Sequence, residues 1–139
     1  MEQSQDNFFD QAMTRYQSGA LAEDLITDFE TITTISPNHS AGWTCLAWLQ
    51  LLCDLNDEAL KSARIAVKLN NQDPQARVNL SLALLETNSK GVRDHIEFVK
   101  RILFAMPDFE EELRKSIDDG LCRKPQWNSL KKVKGWLGL

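Results

Sequence analysis

The stretch GWTCLAWLQLLCDL, residues 42–55, is mostly apolar and contains a single charged residue, Asp54. Its apolar residues recur every three or four positions, at 43, 46, 47, 51 and 55, which is the spacing of one helix face. Further apolar residues fill the opposite side, and a helix that is apolar nearly all round is buried on more than one flank. A membrane span needs about 20 apolar residues, and this run ends at the acidic residues that follow it. The stretch therefore predicts an internal helix of a globular fold.

The composition is that of one globular domain rather than of a nucleic-acid binder. The chain has 139 residues, of which 42% are apolar and 26% are charged, and its formal net charge is −4. These values are ordinary for a packed domain, and a negative charge disfavours binding to a phosphate backbone. The charge is uneven, because residues 121–139 hold five basic residues and no acidic one. An acidic body therefore precedes a basic tail.

The N-terminus and the cysteines indicate a reducing compartment. The first residues, MEQSQDNFFDQ, include acids and lack a basic region followed by an apolar one, so they do not resemble a secretory signal or a transit peptide. Cys45 and Cys53 would lie about 12 Å apart along one helix, which is beyond the reach of a disulfide. We therefore expect free thiols and a cytoplasmic, or otherwise reducing intracellular, location.

A helical hairpin recurs along the chain. Residues 56–71 carry a second apolar stripe, with Asn56 or Asp57 available to cap its helix, and the short connection to the preceding helix predicts an antiparallel pair. The segment that begins near Pro74 repeats this pattern. Units of about 34 residues indicate a stacked helical array. The units end at Pro37, Asn71 and Pro107, so the periods are 34 and 36 residues.

These residues resemble the tetratricopeptide repeat (TPR), a helical hairpin of 34 residues with the pattern W-x2-L-G-x2-Y, then A-x3-F, then P. The middle repeat departs from it by alanine for glycine, glutamine for tyrosine, alanine for phenylalanine and asparagine for proline. The first repeat restores the tyrosine at Tyr16 and the phenylalanine at Phe29. The resemblance covers about residues 5–107. The motif positions of the middle repeat are Trp43, Leu46, Ala47, Gln50, Ala59, Ala63 and Asn71.

The resemblance implies an all-α fold, a right-handed superhelical solenoid of TPR-like hairpins. A single hairpin cannot bury its apolar face alone, so three hairpins and an end cap are near the minimum for a stable array. The predicted boundaries are a TPR-like domain at 1–120, with hairpins at about 5–37, 38–71 and 72–107 and a capping helix at 108–120 that stops at Gly120, followed by a basic extension at 121–139.

The sequence offers little for chemistry. It has two histidines, neither within a catalytic motif, and it has no glycine-rich phosphate loop, no G-x-S-x-G, no H-E-x-x-H and no C-x-x-C. Cys45 and Cys53 are too far apart for one tetrahedral ion, so they are interpreted as packing residues. We therefore expect no enzyme, no catalytic or metal site, no cofactor and no small-molecule substrate.

The resemblance also implies a binding site. In TPR proteins the first helices of the hairpins form a concave groove that takes up a segment of a partner protein. Chaperone-linked members grip a terminal carboxylate with lysine, arginine and asparagine, of which only Asn79 is present here. We therefore expect an apolar groove around Trp48 that binds an amphipathic or apolar segment, unless the chain itself covers Trp48. The groove positions carried over from the family are Ala41, Thr44, Cys45, Trp48, Leu52, Gln75, Val78, Asn79, Leu82 and Glu86.

The basic tail carries a helix of its own. Asn128 or Ser129 can cap a short helix on which Leu130, Val133 and Leu137 share one face. Such a short helix is marginal alone and orders against another surface, which is the body of this chain, an acidic partner or an anionic membrane. Three lysines bind such a membrane only weakly, at about 1 kcal/mol each. The other tail residues singled out are Arg123, Lys124, Trp127, Lys131, Lys132, Lys134 and Trp136.

Two functions follow as expectations. The first is a non-catalytic adaptor for protein–protein interaction, such as an assembly or chaperone-like factor that binds a partner segment in its concave groove. The alternative is a peripheral membrane or nucleic-acid-associated accessory protein that acts through the basic tail, although the net charge argues against nucleic acid.

Overall fold

The structure is a computed structural model that describes the backbone from residue 2 and the side chains from residue 7 to the C-terminus. Within these residues the chain forms eight helices and no strand, so the prediction of an all-α fold is confirmed. Short loops join successive helices into hairpins. The helices are α1 (Glu2–Gln17), α2 (Ala22–Ile35), α3 (Ser40–Leu52), α4 (Asn56–Leu69), α5 (Pro74–Glu86), α6 (Val92–Ala105), α7 (Asp108–Arg123) and α8 (Asn128–Leu137).

The first three hairpins turn in the same way. In each, the second residue after the first helix has a positive φ, with values of 95° at Gly19, 60° at Asp54 and 55° at Asn88. This left-handed conformation commonly ends a helix, and glycine, asparagine and aspartate adopt it most readily. The turns are 35 and 34 residues apart, so the backbone repeats with the period of the sequence.

The sequence also explains where several helices begin and end. The second helices of the first and third hairpins stop before Pro37 and Pro107, because the residue before a proline is disfavoured in the α conformation. Helix α5 begins at Pro74, and the side chain of Asp73 accepts a hydrogen bond from the backbone N–H of Gln75 at 3.0 Å. The predicted caps of α4 are wrong, since Leu55 occupies the cap position and makes no side-chain hydrogen bond there.

Small residues allow the middle hairpins to pack closely. Ala47, Ala59, Ala63 and Ala66 are completely buried. A methyl side chain lets two helix axes approach, while larger residues from neighbouring helices fill the remaining space. Ala47 and Ala63 share one apolar cluster with Leu80 of the next hairpin, so the second and third hairpins have part of their core in common.

The C-terminal segment belongs to this core. Helix α7 was predicted to stop at Gly120, but it continues to Arg123. Helix α8 packs against α5, α6 and α7. Of the three candidate surfaces for the tail helix, the structure therefore shows the body of the chain itself. The tail residues that enter the main core are Trp127, Leu130, Val133 and Leu137.

Gly120 lies inside helix α7 at a position where the neighbouring residues leave no room for a side chain. A Cβ atom at this position would lie 2.7 Å from Cζ2 of Trp48 and 2.9 Å from Cδ2 of Leu130. Such distances are well below van der Waals contact, so α7 can approach both residues only with glycine at position 120. Gly135 in α8 differs, since a Cβ atom there would meet no atom within 4 Å.

Two glycine-to-alanine substitutions should therefore have opposite effects. Gly120→Ala should lower the free energy of unfolding by about 1–3 kcal/mol, because overpacking displaces Trp48 or α7. Gly135→Ala should raise it by about 0.5–1 kcal/mol, because alanine favours a helix and nothing obstructs it. Urea titration of both variants measures the two values. Equal shifts of the two midpoints would contradict the close approach at Gly120.

Candidate binding groove

A groove of about 720 Å³ lies among the first helices of the hairpins. Helices α1, α3 and α5 contribute its concave side, and α7 closes it from the opposite side. Most of the surface that lines it is apolar, whereas the residues from α7 are polar or charged. The lining residues are Met13, Tyr16 and Gln17 of α1, Phe29 of α2, Thr44, Cys45, Trp48 and Leu49 of α3, Gln75 of α5, and Glu112, Lys115, Ser116 and Asp119 of α7.

Four of the ten groove positions carried over from the TPR family line this groove. They are Thr44, Cys45 and Trp48 of α3 and Gln75 at the start of α5. The other half-buried positions, Ala41, Leu52 and Glu86, do not belong to its lining. That the four lining residues contact a partner remains a prediction.

Three further positions are not open to a ligand. Val78, Asn79 and Leu82 are completely buried, so for them the expectation of an exposed groove position is wrong. Val78 and Leu82 lie in the same cluster as the buried face of α8. Asn79 instead ties two helices together, because its side-chain amide donates to the carbonyl oxygen of Thr44 at 2.9 Å. Helix α8 thus occupies the part of the concave surface that the third repeat was expected to expose.

Trp48 forms a wall of the groove and also part of the core. It is only 6% exposed, and its ring centroid lies 5.3 Å from that of Trp127. The chain therefore covers most of Trp48 itself, which was the alternative interpretation of the sequence. Its indole N–H donates to the Tyr16 hydroxyl at 2.8 Å, and this hydroxyl donates in turn to the carboxylate of Asp119. A chain of hydrogen bonds thereby joins α3, α1 and α7 at the edge of the groove.

Burial changes the acidity of two groove residues. The pKa of the Cys45 thiol is raised to about 12, mainly by desolvation and secondarily by the negative charge of Asp73. Desolvation also raises the pKa of Tyr16, with a further contribution from its hydrogen bond to Asp119. Cys45 is therefore protonated at neutral pH and is not an activated nucleophile. Its Sγ instead lies 3.5 Å from Sδ of Met13 and contributes a polarizable apolar surface.

The sequence did not indicate the residues that α7 brings to the groove. Glu112, Lys115, Ser116 and Asp119 lie on a helix that was expected only to cap the array. Their spacing is that of one helix face, but charged and polar residues at this spacing are also typical of a solvated face. For Tyr16 the sequence did give an indication, because this residue occupies the tyrosine position of the repeat motif.

The basic residues of the tail are largely engaged within the chain. Trp127 is buried, whereas Trp136 is 45% exposed and Lys131 and Lys132 face solvent. The tail is therefore not a free basic arm. The ion pairs formed by its other basic residues are Arg123 with Asp119 at 2.9 Å, Lys124 with Asp54 at 2.6 Å and Lys134 with Asp118 at 3.0 Å.

The described part of the chain shows no constellation for metal chemistry. No group of three or more His, Cys, Asp or Glu side chains among these residues is placed to hold an ion. His95 lies 3.1 Å from the guanidinium of Arg77, and burial, together with this positive charge, lowers its pKa.

From residue 2 onward, no helix has the length and apolar character needed to cross a membrane.

Solved structures with a similar fold include chaperones. No family model matches the sequence, and no curated protein matches it. The type III secretion translocator chaperone SycD of Yersinia enterocolitica is 16% identical, with a TM-score of 0.72 over 91% of this chain and 87% of SycD. PcrH, solved with the chaperone binding region of PopD, is 13% identical, with a TM-score of 0.72 over 91% and 95%. MamA is 16% identical, with a TM-score of 0.61 over 96% and 75%. These likenesses show that the chain has a TPR-like helical fold.

Proposed function

We propose that this protein is a non-catalytic adaptor of the chaperone type, which holds a short segment of a partner protein in the groove between α1, α3, α5 and α7. The observation that carries the proposal is the groove itself, a space of about 720 Å³ whose apolar lining includes Met13, Cys45 and the small exposed part of Trp48. That volume lies in the range of pockets that enclose a ligand. Burial of an apolar side chain of the ligand in this groove would contribute favourable free energy to binding.

Two similar structures support a protein segment as the ligand. PcrH was solved with the chaperone binding region of PopD, and SycD was solved with a peptide of the translocator YopD. We propose the same class of ligand for this chain and extend the proposal to membership of the TPR family. The free thiols of the three cysteines support a reducing compartment as the place of action.

The lining suggests the chemistry of the bound segment. Its centre should be an apolar side chain placed between Met13 and Trp48. The polar residues of α7, Glu112, Lys115 and Ser116, carry both charges and a hydroxyl, so they suit the backbone and the polar flanks of the segment. A segment with an apolar anchor and polar neighbours therefore agrees with both sides of the groove.

Filling the groove should weaken peptide binding without unfolding the protein. Ser116→Trp places a large ring in the groove, whereas Glu111→Trp introduces the same ring on an exposed position of the same helix. Peptides selected by the wild-type protein from a random 12-residue library should bind Ser116→Trp at least about tenfold more weakly, a loss of about 1.4 kcal/mol. Fluorescence anisotropy of the labelled peptides measures both variants.

The matched variant decides how the result is interpreted. Glu111→Trp should retain the wild-type affinity, and both variants should keep the urea midpoint of the wild type. The proposal fails if the library yields no specific peptide, or if the selected peptides bind both variants with the wild-type affinity.

A further inference from the structure

The two ends of the helical array meet across the groove. Arg123, at the C-terminal end of α7, donates hydrogen bonds to the backbone oxygens of Tyr16 and Ala20 at 2.7 and 2.8 Å. Its guanidinium carbon lies 3.9 Å from the ring centroid of Tyr16, and its Nε donates to Asp119 at 2.9 Å. One arginine therefore holds the helix that closes the groove against the helix that begins the array.

The groove also separates two parts of the core. The cluster under α1 and α2 includes Ala12, Leu25 and Phe29, whereas Leu113 and Ile117 of α7 belong to the main cluster with Trp48. Residues from both clusters line the groove. In a repeat array each hairpin contacts mainly the adjacent hairpins. A direct contact between α1 and α7 is therefore an addition to the usual packing.

This tie is made mainly of polar contacts, unlike the packing of α8. Arg123 and Tyr16 are partly exposed, and their contacts are hydrogen bonds and a cation–π interaction. At a partly exposed position water can replace the protein partner of a hydrogen bond, so each of these hydrogen bonds contributes only modestly to stability. The contact between α1 and α7 can therefore break while the apolar core stays folded. Leu130 and Val133 of α8, by contrast, are completely buried.

We propose that Arg123, Tyr16 and Asp119 form a latch between α7 and α1 that controls the access of a partner segment to the groove. The latch regulates the same site and so rests on the proposed function. When it is closed, as in this structure, α7 is held against α1 at the edge of the groove and Cys45 is partly shielded. When it opens, α1 and α7 separate at this edge, and the apolar lining of the groove becomes more accessible.

The thiol of Cys45 reports the state of the latch without any partner. It lines the groove between α1 and α7 and is partly shielded from solvent. In a Cys53→Ser/Cys122→Ser background, Cys45 is the only cysteine, and the rate of its alkylation by iodoacetamide at fixed pH rises with the fraction of molecules in which the groove is open. We expect Arg123→Ala to raise this rate by about tenfold, since opening then breaks fewer hydrogen bonds.

A second latch variant and a control on the same helix make the result specific. Tyr16→Phe keeps the ring but removes the hydroxyl that joins Trp48 and Asp119, so it should also raise the rate. Arg114→Ala should leave the rate unchanged, because Arg114 pairs only with Glu110 and Glu111 of its own helix among the described ion pairs. Wild-type rates for both Arg123→Ala and Tyr16→Phe would overturn the latch, and Tyr16→Phe alone decides if Arg123→Ala does not fold.

Low concentrations of urea distinguish local opening from global unfolding. Reaction through the latch should be nearly independent of urea, because opening exposes little surface, whereas reaction through unfolding should accelerate steeply. A steep urea dependence in both latch variants would overturn the proposal. The assay contains no peptide, so failure of the library selection leaves its result intact, and the two proposals fail separately.

Discussion

Deletion of residues 124–139 should leave a chain that no longer unfolds cooperatively. The deletion removes Trp127, Leu130, Val133 and Leu137, all of which are buried in the main core. Burial of one such side chain contributes about 1.5–3 kcal/mol, so four together approach the entire stability of a domain, which is about 5–15 kcal/mol. Near-UV circular dichroism and a urea titration should show loss of fixed tertiary packing.

A charge variant separates the core from the basic character of the tail. Lys131→Gln/Lys132→Gln removes two exposed charges and leaves the buried face of α8 intact. We expect its urea midpoint to remain close to that of the wild type, because substitutions at exposed positions usually change stability by at most about 0.5 kcal/mol. A truncated chain that unfolds cooperatively at the wild-type midpoint would show that α8 is an accessory arm.

Trp48→Ala should lower the free energy of unfolding by about 3–5 kcal/mol, the usual cost of removing a large buried ring. The substitution removes the contact with Trp127, empties the space beside Gly120 and leaves the Tyr16 hydroxyl without its indole donor. The sequence suggested that Trp48 serves mainly binding. Because Trp48 is only 6% exposed, we instead expect its loss to affect stability more than binding.

The same substitution at another tryptophan provides the control. Trp136→Ala removes a ring that is 45% exposed, so urea titration should show a much smaller loss than for Trp48→Ala. Similar losses for the two variants would contradict the role of Trp48 in the core. Neither Trp48→Ala nor the truncation can test binding alone, because each also removes part of the fold. Ser116→Trp is more suitable for that purpose, since it adds a ring to the groove without deleting core contacts.

The candidate site was predictable where the repeat motif applied and not elsewhere. Thr44, Cys45 and Gln75 line the groove because the first helices of TPR hairpins face inward, which the resemblance implied. Val78 and Leu82 occupy equivalent positions but are buried, because α8 fills that part of the concave surface. Helical spacing indicates which face of a helix is inward, but it does not indicate what lies opposite that face.

Local features of the sequence specify the helical array. Apolar spacing of three and four residues, small residues such as Ala47 and Ala63, and prolines at the ends of the first and third repeats act locally, so they specify hairpins before any distant contact is known. The surface that α8 covers, by contrast, follows from long-range contacts. The face with Leu130 and Val133 requires an apolar surface, and α5, a partner or a membrane would each provide one. The choice depended on contacts between residues that are distant along the chain, such as Leu130 with the cluster that contains Val78 and Leu82, for which local spacing carries no signal.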